Sequence, residues 1–157
     1  MDTNGMTEDR GTLRGRVQSG ASWFYWIAAL SVINSIIAAT GSTWGFMAGL
    51  GVTQLIDGLG MAIGAEAKAF TLALDVAVAA MFAGLGVWAG RNAWAYLGGM
   101  ILYALDGSIF VFAGDWVGLA FHGLVLWFLW GGWMAQRALA RMPATTTSPE
   151  AQLDRAA

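Results

Sequence analysis

The chain has 157 residues, a formal net charge of -2, 57% apolar and 11% charged side chains, a mean hydropathy of +0.58 and no cysteine. A soluble domain carries about 25% charged residues, so most of this surface is built for lipid rather than water, and without Cys there are no disulfide frameworks, thiolate metal sites or thiol redox chemistry. A single His argues against a His-rich zinc or haem centre, and a few terminal arginines make no nucleic-acid patch.

Residues 1–20 are polar and lack apolar periodicity, which predicts a disordered tail. Asp2, Glu8 and Asp9 spoil the basic start of a secretory signal, so the first apolar run reads as a retained span. That span covers 22–40, long enough for a core needing about 20 residues, and Gly41-Ser42-Thr43 breaks it. A second apolar segment, 44–64, is Gly-rich and interrupted by Gln54 and Asp57. After the polar turn Glu66-Ala67-Lys68, spans follow at 69–89, 93–113 and 116–136, joined by Arg91-Asn92 and Gly114-Asp115. From residue 142 the chain is again polar, contains both prolines and reads as a second disordered tail. The membrane domain is therefore 21–141.

The second segment decides the topology. If all five segments cross, Arg10, Arg14 and Arg16 face the opposite side from Arg137 and Arg141, against the positive-inside rule. If 44–64 is marginal or re-entrant, all of these and Arg91 face the cytoplasm, and Trp23, Trp26, Trp88, Trp94, Trp130 and Trp133 gather near one interface. The expected fold is thus an all-α integral membrane protein. It is a compact bundle of four transmembrane helices plus one marginal or re-entrant helix, with short loops. Small residues recur at spacing four, as at Ala73/Ala77, Ala80/Gly84 and Gly114/Gly118, which lets helix backbones approach closely in lipid.

Ionisable side chains inside the spans cost at least about 2.5–3.5 kcal/mol on insertion scales, so each needs a partner or a cavity. Asp75 lies seven residues beyond Lys68, while Asp106 and His122 lie eight residues on either side of Gly114. At 1.5 Å per residue all three sit roughly 10–12 Å below the same face. Asp57, about seven residues before Gly64, joins this layer, and Asn34 falls at a similar depth. Gln54 and Tyr103, one turn before Asp57 and Asp106, complete the candidate ligand set. Asp106, in a long uninterrupted span, is the strongest of these candidates.

Such a layer suits proton relay or coordination of a cation by oxygen ligands. The plainer reading is that protonated Asp and neutral His hydrogen-bond across helices and fix their register. No phosphate-binding Gly-rich loop, nucleophile elbow or zinc signature is present, so an enzyme is not expected. The expectations are a small proton- or cation-coupled permease or solute-binding module of a bacterial-type inner membrane or, alternatively, an accessory subunit packing against a larger complex. Homo-oligomerisation suits either one.

Overall fold

The computed structural model describes residues 3–40 and 49–143. It is all helical: α1 (Thr3–Ala39), α2 (Gly51–Ile63), a single 3-10 turn (Ala65–Ala67), α3 (Lys68–Ala89), α4 (Ala93–Ala113) and α5 (Trp116–Arg141). Among the described residues four helices, α1, α3, α4 and α5, are long and apolar enough to cross a membrane. With 13 residues, α2 is about 20 Å long and falls short of a hydrocarbon core of about 30 Å.

The connectors follow from local chemistry. Asn92 accepts a hydrogen bond from Trp94 N at 2.9 Å and opens α4. Asp115 does the same for α5, accepting from Val117 N at 3.1 Å and Gly118 N at 2.9 Å. Between them Gly114, at φ 70°, takes the left-handed conformation that a residue with a Cβ avoids and lets α4 stop within one residue.

Each spanning helix buries one stripe. In α3 it is Thr71, Asp75, Ala79, Phe82, Gly86 and Ala89; in α5 it is Gly118, His122, Val125, Leu129, Gly132 and Ala135. The spacings of three and four are those of one helical face. The other faces expose Phe70, Phe112, Trp94 and Trp127, as lipid requires. Ala73, Ala77, Ala80 and Gly84 also lie on the exposed side of α3, so these small residues do not pack inside the bundle.

Helices α1 and α5 approach closely at Gly20 and Gly132, where a Cβ on Gly20 would sit 2.6 Å from the Gly132 Cα. Nearby, Tyr96 donates its hydroxyl hydrogen to the Val17 carbonyl, and Trp23 stacks on Phe128 at 4.7 Å. These contacts explain a correction to the sequence reading. The first helix starts at Thr3, and the part expected to be a disordered tail continues the span as helix. Leu13, Val17 and Ala21 recur at spacing four and pack with Ala135 and Leu139 of α5, itself five residues longer than expected. The expected break at 41–43, the start of the second segment at 44–48 and the tail from 144 lie outside the described residues.

Candidate functional site

The first turn of α2 points into the bundle, and a helix N-terminus buried there must find acceptors for its free N–H groups. Leu50, at the cap position, has no side-chain oxygen to offer. Other helices supply the acceptors. Leu50 N donates to Ser31 Oγ of α1 at 3.0 Å, while Gly51 N and Val52 N donate to Asp106 Oδ2 and Oδ1 of α4, each at 2.8 Å. Gly51 makes room for this, because a Cβ there would lie 2.8 Å from the Phe110 ring.

His122 of α5 completes the arrangement. Its Nδ1 lies 2.9 Å from the Gly118 carbonyl, an acceptor only, so Nδ1 carries a hydrogen. Its Nε2 lies 3.0 Å from Asp106 Oδ2, and that contact needs one proton between the two atoms. The pair therefore holds one shared proton and is neutral as a unit, either as imidazolium and carboxylate or as imidazole and carboxylic acid. The imidazole is held between two rings, stacked on Tyr103 at 4.2 Å and tilted against Phe110 at 4.7 Å. Gly107 opens the space, since a Cβ there would meet the imidazole at 3.1 Å.

Asp75 is the opposite case. It is fully buried, and neither carboxyl oxygen has a hydrogen-bond partner; the same holds for the buried hydroxyls of Ser35 and Tyr103. Asp57 of α2 and Ser35 of α1 are close polar neighbours of Asp75, although neither reaches hydrogen-bond geometry with its carboxyl oxygens. Asp57 is half-buried and borders a cavity of about 20 Å³ shared with Gly60, Thr71 and Lys68, room for one water molecule. Lys68 is exposed at the start of α3, so this cavity lies at the end of the bundle where α3 begins. Towards the other end the interior is closed by Phe24, Phe82, Tyr96 and Tyr103, whose rings touch in sequence at 5.9–6.5 Å.

The residues of the predicted polar layer come together in two groups: Asp106 with His122 and Tyr103, and Asp75 with Asp57. Asn34 is buried beside Gly49, its Nδ2 2.5 Å from where a Cβ would stand. Gln54 is not in the layer. The inward face of α2 runs through Thr53, Asp57 and Gly60, and a rotation of about 100° per residue turns Gln54 outward. Ser31 and Ser35 were not among the sequence candidates, although their spacing of four on the stripe of Phe24 and Ala28 marks them as inward-facing.

The chain matches no protein family. It also matches no characterised protein and no solved structure.

Proposed function

We propose that the chain is a small proton- or cation-coupled permease, or a solute-binding module of that kind, whose exchange site is Asp75 with Asp57 and Ser35. The observation that carries this is the contrast between two buried acids of one bundle. Asp106 makes three hydrogen bonds and holds α2 in place. Asp75 makes none. A bare carboxylate without donors is too costly inside hydrocarbon, so Asp75 rests neutralised, by a proton or by a monovalent cation shared with Asp57. The one-water cavity borders Asp57 towards the Lys68 end of the bundle, and α2, which carries Asp57 and is held by its N-terminus, is the element whose shift would change access to the pair. The strongest sequence candidate, Asp106, becomes a positioning residue in this reading.

Asp75→Asn tests it. Asn keeps the volume but cannot take up a proton or neutralise a cation. In infrared difference spectra recorded across a pH or sodium step, wild type should show a buried carboxyl signal that the variant lacks. Proteoliposomes carrying the variant should lose any proton or sodium flux while the protein remains folded. An unchanged carboxyl signal or unchanged flux would sink the proposal.

The same reading places the arginine-bearing end of the bundle in the cytoplasm of a bacterial-type inner membrane, following the positive-inside rule. Cysteines at Ser19 and Thr146 should then both resist an impermeant thiol reagent in intact cells. Labelling of one alone would overturn the four-span topology, and labelling of both would invert the orientation.

A further inference from the structure

The end of the bundle remote from the acid pair gathers positive charge from two separate elements. Arg10 and Arg14 of α1 and Arg91 of the α3–α4 connector line one open cavity of about 710 Å³ together with Gln18, Gln136 and Leu139. No acidic side chain lines it among the described residues. The carbonyl ends of α3 and α5 lie beside it, but each is equivalent to only about half a negative charge, which leaves the three guanidinium groups in excess. Arg10 donates to the Pro143 carbonyl, and a guanidinium has four further N–H donors.

We infer that this cavity is a binding site for a phosphate-bearing anion, with the headgroup of an acidic phospholipid as the source its position favours. Guanidinium forks match phosphate oxygens in bidentate geometry, and the two Gln amides add neutral donors. The volume lies within the range of small-molecule sites, about 300–1,000 Å³. Trp88 and Trp94, 56% and 75% exposed, flank Arg91 and mark the level at which aromatic side chains meet lipid headgroups. Val17 and Leu139 form an apolar floor below the charges, suited to the glycerol and the start of the acyl chains. Steering topology requires only that cations flank the spans. It does not require cations from two elements to converge on one acid-free cavity.

Native mass spectrometry of the full chain in a neutral detergent tests the site, with phosphatidylglycerol, phosphatidylcholine and inorganic phosphate offered separately. Wild type should retain phosphatidylglycerol in preference to phosphatidylcholine. At about fivefold per arginine, the R14Q/R91Q pair should lose roughly twenty-five-fold, whereas Lys68→Gln, loss of a positive charge at the other end of the bundle, should retain wild-type binding. Arg91→Lys keeps the charge, and hence the topology signal, but removes the planar fork. It should weaken retention severalfold and decides the matter if the double variant does not insert. Arginine-dependent capture of inorganic phosphate, without preference between the lipids, would identify a soluble phosphate as the ligand of the same site. Retention of phosphatidylglycerol unaffected by the arginine changes, or lost equally in Lys68→Gln, would overturn the proposal.

Discussion

Asp106→Leu should release the first turn of α2 and destabilise the bundle by about 3–5 kcal/mol, the usual cost of removing one partner from a buried charged pair. Leu leaves Gly51 N, Val52 N and His122 Nε2 without their acceptor at once. Asp106→Asn should cost far less. Its carbonyl oxygen can still accept from Val52 N, and its amide can donate to a neutral His122 Nε2 while Nδ1 keeps its bond to Gly118. Only Gly51 N is orphaned, a loss of about 1–3 kcal/mol. Reversible unfolding in a denaturing detergent measures the difference, and amide exchange at Gly51 and Val52 locates it. Equal stability of the Asn and Leu variants would show that Asp106 does not cap α2.

Gly132→Ala and Gly131→Ala should shift stability in opposite directions although the residues are adjacent. A Cβ on Gly132 would lie 2.6 Å from Tyr96 Oη and 2.9 Å from Gly20 Cα. Tyr96 cannot move aside easily, being fully buried and bonded to Val17 O, and the Gly20 Cα is backbone. Overpacking of this kind costs about 1–3 kcal/mol, and Ala's better helix propensity, worth up to about 1 kcal/mol, offsets part of it. Gly131 has nothing within 4 Å of its added Cβ, so only the propensity gain remains. The same unfolding assay reads both. A stable Gly132→Ala variant would mean that α1 and α5 do not meet as closely as their glycines indicate.

Much of this architecture is legible in the sequence. Apolar length and turn chemistry place α4 at 93–113 to the residue, because Asn92 and Gly114 are strong local signals. Helical rise alone puts Asp75, Asp106 and His122 at one depth. What rise cannot supply is the direction each side chain takes around its helix axis. That depends on which helices touch, so the division of the layer into Asp106–His122 and Asp57–Asp75 emerges only with packing. The ranking of Asp106 above Asp75 shifts for the same reason. The acceptors that α2 needs are backbone amides of another segment, and backbone amides leave no mark in a residue pattern. The extended start of α1 was visible as Leu13, Val17 and Ala21 at spacing four, but Gly11, Gly15 and the arginines around them obscured the periodicity.

The capping of α2 also imposes an order on assembly. Gly51 and its acceptor Asp106 are 55 residues apart in the chain, and His122 follows another 16 residues on. Chains are made from the N-terminus, so α2 emerges well before α4 exists to receive its amides. Until then its first turn has only Ser31, on the preceding helix, as a partner, and unsatisfied N–H groups are too costly to leave in hydrocarbon. The half-helix is therefore expected to settle into the bundle only once α4 has brought Asp106 into place.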